Sequence, residues 1–288
     1  MSGYGSSTVK RQRRNSAQLD ALDAAIVQVV TEDAPLTLRG VYYRVLSLGA
    51  VEKSENDYRA IGRELLKLRR TGVIPYTSIT DGTRWIMKPT SWDSLGEMLD
   101  DAAASYRRAL WHDQPAHVEV YAEKDAIAGI LHDVTARWDV PLGVLRGYAS
   151  ESFTWNVAEA IKAQGKAAYV YHFGDHDPSG VNQFEVFAER VRGFAPDADI
   201  TFVRAAVTPE QIEQWALPTR PTKQSDTRAR NFTGESVEID AVRSPVLRDL
   251  VERSITQHID PYRLAAIREV EASERDLLVQ MRPWAVGA

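Results

Sequence analysis

Two carboxylates one residue apart, Asp175 and Asp177, close the run Tyr169-Val-Tyr-His-Phe-Gly-Asp-His-Asp-Pro-Ser-Gly180. The apolar, aromatic residues ahead of them read as a strand. Positions i and i+2 of an extended segment face the same side, so both aspartates can offer oxygens to one hard cation. Mg²⁺ is commonly held by one or two carboxylates together with water and substrate phosphate. The same residues also spell a polar turn that caps a helix, because Asp, Pro, Ser and Gly are turn formers. Glu123 ends a second apolar run, His117-Val-Glu-Val-Tyr-Ala-Glu123, and supplies a third carboxylate. Three acids and a cation suit phosphodiester chemistry, in which the metal neutralises developing charge and stabilises the attacking or leaving oxygen. His176 points to the opposite side of the extended segment and is left out of the site.

Such chemistry needs a nucleophile. Water would make a nuclease, and a side-chain hydroxyl would make a transesterifying enzyme that conserves the phosphodiester in a covalent link. Tyr43 is the candidate hydroxyl. Around it Leu38, Val41/Tyr42 and Val45/Leu46 recur with helical spacing and form a buried stripe. Arg39 and Tyr43, four residues apart, fall off that stripe onto a more polar face. Ionising a phenol of ordinary pKa at neutral pH costs roughly 4 kcal/mol. A neighbouring guanidinium and a metal lower that cost. A solitary tyrosine on a helix is otherwise most often structural.

The elements that would position these groups follow from composition and order. The chain has 288 residues, 44% hydrophobic and 26% charged, which favours two domains or one large α/β domain with an extension. It has no cysteine, which removes disulfides, zinc–thiolate sites and thiol catalysis, and its six histidines lack zinc-like spacing. No run of 18 apolar residues and no signal-type segment is present, so the expectation is a soluble, cytoplasmic protein with no membrane partner. The net charge of −5 is unevenly spread: 14 Lys and Arg face 9 Asp and Glu up to Lys88, leaving 21 against 31 of the chain's 35 and 40. A basic first third and an acidic remainder suggest that one part meets phosphate and the other gathers carboxylates.

Residues 1–15 read as a basic tail (Lys10, Arg11, Arg13, Arg14), either touching DNA or merely solvated. A helix starts at Ser16, a second is capped near Thr37, and a third covers about Asn56 to Arg70. The third displays Arg59, Arg63, Lys67 and Arg70 on its polar side. Val73 to Lys88 alternates around Asp81-Gly82 and predicts a β-hairpin. Three helices and a hairpin are the order of a winged helix, whose basic third helix would enter the major groove of double-stranded DNA. A salt-laced surface helix is the alternative for that stripe. Residues 16–90 therefore form the expected DNA-binding domain, 91–114 a linker with its own helix (Leu95 to Trp111), and 115–288 an α/β domain. In that domain strands at His117–Glu123, Leu142–Arg146, Ala167–Phe173 and Asp199–Ala205 alternate with helices, which predicts a mostly parallel four-stranded sheet with ligands at the carboxyl ends of its strands. The basic segment Pro218 to Phe232 (Arg220, Lys223, Arg228, Arg230) reads as a phosphate-facing or solvated loop. Two amphipathic helices, Val246 to His258 and Pro261 to Val279, would cover the sheet or form a dimer surface.

Arg39-Gly-Val-Tyr-Tyr43 resembles the Arg-x-x-Tyr/Phe-Tyr motif of type IIB topoisomerase (topoisomerase VI) A subunits and the Spo11 family of meiotic recombination proteins. Val120-Tyr-Ala-Glu123-Lys124-Asp is similar to the Toprim glutamate motif, and Gly174-Asp175-His-Asp177-Pro-Ser-Gly180 to its Asp-x-Asp motif. Gly147-Tyr-Ala-Ser150 also resembles the family's loop at that place. The likeness runs from about Pro35 to about Asp260. Gly40 stands where the family commonly has an acidic residue, and the length is similar to reduced "mini-A" homologues of mobile elements. The resemblance implies a winged-helix domain carrying Tyr43 as nucleophile, with Arg39 assisting. It implies a Toprim domain in which Glu123, Asp175 and Asp177 bind Mg²⁺. It further implies a homodimer in which one protomer's tyrosine meets the other's acids, leaving 5′-phosphotyrosyl double-strand breaks. Strand passage would need a GHKL ATPase B-type partner, since the chain has no ATP-binding motif. Two alternatives stand beside this: a Toprim hydrolase using water, and a DNA-binding regulator whose Toprim domain is only a scaffold. A primase-type role is disfavoured by the absence of a zinc ribbon.

Overall fold

The computed structural model describes residues 14–81, 88–222, 232 and 234–286. The chain divides into two compact units, Met1–Ile79 and Thr80–Ala288. Among the described residues no helix is long and apolar enough to cross a membrane.

The first unit packs three helices, each started by a side chain that accepts an otherwise orphaned backbone N–H. Helix α1 (Ser16–Asp33) is capped by Asn15, with Gln18 completing a capping box. Helix α2 (Leu38–Ser47) is capped by Thr37, and α3 (Glu55–Arg70) by Ser54. Their shared core takes Leu22, Ile26 and Val29 from α1, Val41 and Val45 from α2, and Ile61, Leu65 and Leu68 from α3. A buried ion pair, Arg44 Nε to Asp33 Oδ2 at 2.5 Å, ties α2 to the end of α1. Removing one partner of such a pair costs about 3–5 kcal/mol, because the other is left charged and dry.

Two expectations are corrected here. Tyr43 does not lie on a polar face of α2: it is 7% exposed and belongs to the core. Helices α1 and α3 both pack on α2, so Val41, Tyr42, Tyr43, Arg44 and Val45 are consecutively buried and the covered arc is wider than the stripe. The first arm of the expected hairpin is also not a strand. Pro75 begins a 3₁₀ turn at Tyr76–Ser78, and Ile79 then makes a single parallel bridge to Leu36. Proline fixes φ and has no N–H to give to a ladder. The second arm falls at 82–87, outside the described residues.

The second unit is α/β. Helix α4 (Leu95–Ser105) ends earlier than Trp111, where Tyr106 and Arg108 leave it to hydrogen-bond Glu274. The sheet has four strands, β1 (Ala116–Ala122), β2 (Leu142–Val144), β3 (Ala167–Phe173) and β4 (Ile200–Ala206), in the order β2-β1-β3-β4. Every pairing is parallel. All seven residues of β1 are buried, as befits a strand covered on both faces. One face packs against α5 (Asp125–Thr135) and α9 (Ser244–Thr256) through Val118, Val120, Leu131, Phe173, Leu247 and Val251. The other packs against α6 (Glu151–Gln164) and α7 (Pro178–Phe194) through Tyr121, Val157, Ile161, Val170 and Phe187. A short α8 (Pro209–Gln214) follows β4, and α10 (Pro261–Val286) packs on α4.

The chain leaves β1 toward β2 on one side and later returns to β3 on the other. The direction of winding therefore reverses between β1 and β3, which is where an open parallel sheet forms a ligand crevice.

Candidate active site

The two central strands end side by side, with Ala122 paired to Phe173. The next residues are therefore neighbours: Glu123 N–H donates to Phe173 O (2.9 Å), and Glu123 Oε2 accepts from the Asp175 N–H (2.7 Å). Two glycines make room for that carboxylate. A Cβ at Gly174 would stand 2.5 Å from Glu123 Oε2, and one at Gly180 would stand 2.9 Å from it and 2.7 Å from the Asp175 carbonyl oxygen. Gly174 and Gly180 are thus fixed by close approach rather than by an unusual φ.

Asp175 is 8% exposed and fully engaged. Its Oδ1 accepts from the Ile239 N–H at 2.9 Å, and the Lys124 ammonium reaches Oδ1 at 2.8 Å and Oδ2 at 3.0 Å. Asp177 has a different task. It is the N-cap of α7, accepting from Gly180 N–H at 2.8 Å, and its other oxygen faces Arg220 at 3.4 Å. The helix-capping alternative thus describes Asp177, while Asp175 turns inward.

Five residues to which the motifs give no role complete the cluster. Arg204, the one charge inside β4, braces the loop by donating to the carbonyls of Gly174, Asp175, Gly180 and Val207. Lys124 Nζ also holds Asp240 at 2.7 Å. Arg220 joins Asp177 to Glu238, at 2.7 Å from the latter. Of these, the lone charge in β4 was the available signal.

Burial dominates the electrostatics. It pushes the Glu123 carboxyl up to about 7, helped by the nearby charges of Asp175 and Asp177. Asp175 is also raised by burial, although Lys124 pulls it down. Burial alone would lower the Lys124 ammonium, but Asp240 and Asp175 more than offset it and raise it. Arg204 is lowered by burial against the attraction of Glu123, Asp175 and Asp177.

No three His, Asp or Glu side chains are grouped to hold a metal ion among the described residues. The donor chemistry nevertheless fits a hard cation. The acids are carboxylates, and Glu123 is a half-buried acid whose negative form a cation would relieve. Glu123 and Asp175 are the pair brought together, whereas Asp177 is turned to the helix and Arg220.

In the first unit, Tyr43 lines a surface cavity of roughly 420 Å³ with Arg39, Tyr42, Lys53, Ser54, Glu55 and Tyr58. The Arg39 guanidinium lies 5.8 Å and the Lys53 ammonium 5.3 Å from the Tyr43 ring centroid. Both distances are within cation–π range. Tyr42, stacked edge-on to Tyr43 at 5.2 Å, hydrogen-bonds Ser54 O instead. Lys53 carries no motif signal, because it lies beyond the helix in an irregular loop.

The four basic residues of α3 expected to face DNA, Arg59, Arg63, Lys67 and Arg70, are all exposed. Arg59 pairs with Glu55 (2.5 Å), and Lys67 with Asp23 (2.6 Å) and Glu64 (2.7 Å). Arg63 borders a larger hollow with Arg14 and Asn56, where Arg14 pairs with Asp57. Lys10, Arg11 and Arg13 of the tail and Lys223, Arg228 and Arg230 of the basic loop lie outside the described residues. In the Gly147–Ser150 loop, Ser150 caps α6 and Tyr148 donates to Asn182 at 2.6 Å.

No protein-family model matches the chain, and no curated protein matches it in sequence.

Proposed function

We propose that the protein is a Mg²⁺-dependent DNA-cleaving enzyme of the topoisomerase VI A-subunit type, working by tyrosine transesterification. The observation that carries this reading is the seating of Glu123 against Asp175 at the reversal point of the sheet, in a loop whose glycines leave room for that carboxylate and little else. In the reaction the Tyr43 oxygen bonds to the phosphorus, the bond to the 3′-oxygen breaks, and that oxygen takes up the proton released by the phenol. Arg39 and Lys53 on the ring favour the phenolate and attract the incoming phosphate. Glu123 and Asp175, with Asp177 beside them, are the residues that would hold the metal. Bound Mg²⁺ would supply charge neutralisation at the scissile phosphate. The exposed arginines of α3 would contact the backbone of duplex DNA and set its register without reading bases.

The resemblance assigns the tyrosine and the acids that meet on one phosphate to different protomers, so a homodimer is part of the proposal. A GHKL ATPase partner would be needed for strand passage, and a cytoplasmic, nucleoid-associated location follows from the substrate.

The test is incubation with plasmid DNA and Mg²⁺, quenched with denaturant and run with and without protease. A protein–DNA adduct that disappears in Tyr43→Phe supports transesterification. A second reading, hydrolysis by water at the same acids, draws on the Glu123 carboxyl near pH 7, which suits a general base. Nicking that survives Tyr43→Phe would establish it instead.

A further inference from the structure

Lys124 follows Glu123 directly, yet its side chain serves two other acids. Its ammonium stands 2.8 Å from Asp175 and 2.7 Å from Asp240, and the three side chains are 19%, 11% and 2% exposed. Asp240 sits in a 3₁₀ turn at Ile239–Ala241 whose first N–H also donates to Asp175. The turn thus grips Asp175 twice, through the backbone and through the lysine. Two carboxylates this dry meet at one point when a shared proton or a cation lies between them. Here the protein's own ammonium is that cation, a compact charge on a flexible stem.

A divalent ion that recruits Asp175 must displace or share this ammonium. We propose that Lys124 is the resident counter-cation of the acid site: it holds Asp175 and Asp240 together in the metal-free protein and competes with a divalent cation for Asp175. The inference rests on Glu123 and Asp175 being the cation site proposed above. Asp240 is then the anchor that keeps the lysine at its post, and it becomes an additional oxygen donor once the lysine is gone. The arrangement has a consequence of unusual sign. A neutral residue at 124 would leave two buried carboxylates facing each other, which strengthens the site's attraction for a dication. A lysine that merely scaffolds the loop, or that only contacts DNA phosphate, would not do this.

The test uses the full chain without DNA. Mn²⁺ binding is followed by calorimetry, and the rise of Tm with MgCl₂ gives a second readout. Lys124→Met should bind Mn²⁺ about tenfold more tightly than the wild type, equivalent to about 1.4 kcal/mol. Lys124→Arg, which keeps the charge, should match the wild type. Adding Asp240→Asn to Lys124→Met should erase the gain. Unchanged or weaker binding by Lys124→Met, or a gain that persists in the double variant, overturns the proposal. Should Lys124→Met not fold, the wild type decides. The ¹⁵N-detected signal of the Lys124 ammonium should shift or vanish at saturating Mg²⁺, and an unmoved signal overturns the proposal. Tighter binding in Lys124→Met without any DNA adduct would leave the counter-cation standing and sink only the cleavage reaction. Absence of cation binding to any variant would sink both.

Discussion

The tyrosine cavity and the acid loop solve opposite problems. Tyr43 is a neutral group in an apolar helix bundle, with two cations held over its ring at the rim. The cavity it lines is built from residues 39 to 58, a short span of helix, loop and helix. The acid loop buries charges, and each must be met by a specific partner: Asp175 by Lys124 and Ile239 N–H, Glu123 by Asp175 N–H, Asp177 by Gly180 N–H and Arg220. Those partners come from the ends of β1 and β3, the first turn of α7, the segment after α8 and the turn before α9, which only the fold brings together. The first region should tolerate loss of a polar atom better than the second.

Paired substitutions sharpen that contrast most. Asp175→Asn removes one of the two anions on Lys124 in a dry setting and should lower unfolding free energy by about 3 kcal/mol. Tyr43→Phe removes a hydroxyl beside a cavity and should cost under about 1 kcal/mol. Urea titration of the two variants measures the difference. Equal losses would mean that the tyrosine hydroxyl is as tightly embedded as the aspartate, and the contrast would collapse.

How much of each region can be read in advance follows the same division. Strand β3 is read to the residue, because a continuous apolar run bounded by Gly165 and Gly174 has little choice. Thr37 as a cap and the gathering of Glu123, Asp175 and Asp177 at neighbouring strand ends also follow from local pattern and from the rule that ligands gather there, but the division of labour between the two aspartates does not. The exposure of Tyr43 does not, since helical periodicity gives the direction of a side chain but not how many neighbours cover the helix. Asp240 carries no local signal at all: it stands in a three-residue turn, and its role exists only because that turn passes Asp175 and Lys124. Arg204 is intermediate, because a lone charge in a strand asks for an explanation that only the carbonyls of the Gly174–Gly180 loop supply.

The next largest effect is a pH dependence peculiar to the acid loop. Glu123 is raised from its ordinary 4.5 to about 7 in the folded chain, chiefly by burial. Between those values the folded state keeps a proton that the unfolded chain has released. The contribution is therefore fully present below about pH 4.5 and is lost as pH rises through about 7. With partial exposure discounted, its size is on the order of 2 kcal/mol. In metal-free buffer, Glu123→Gln should flatten that part of the stability–pH curve, and saturating Mg²⁺ should flatten it in the wild type. A variant curve that keeps the wild-type slope would assign the dependence to other groups.

The smallest effects distinguish residues within the first unit. Arg59 and Lys67 already have acidic partners, whereas among the described residues Arg63 and Arg70 have no ion pair. A side chain with an intramolecular anion gives up that contact to meet a phosphate, so its net contribution to DNA binding is smaller. Exposed ion pairs contribute little to folding, so all four alanine variants should keep their stability within about 0.5 kcal/mol. Arg63→Ala and Arg70→Ala should each reduce the slope of log affinity against log salt by about 1, with Arg59→Ala and Lys67→Ala falling clearly below that. Fluorescence anisotropy on duplex DNA across a salt series measures the slopes. Four equal slopes would show that the acids of α1 and α3 do not hold back their partners. Unchanged slopes throughout would move the DNA contact off this helix.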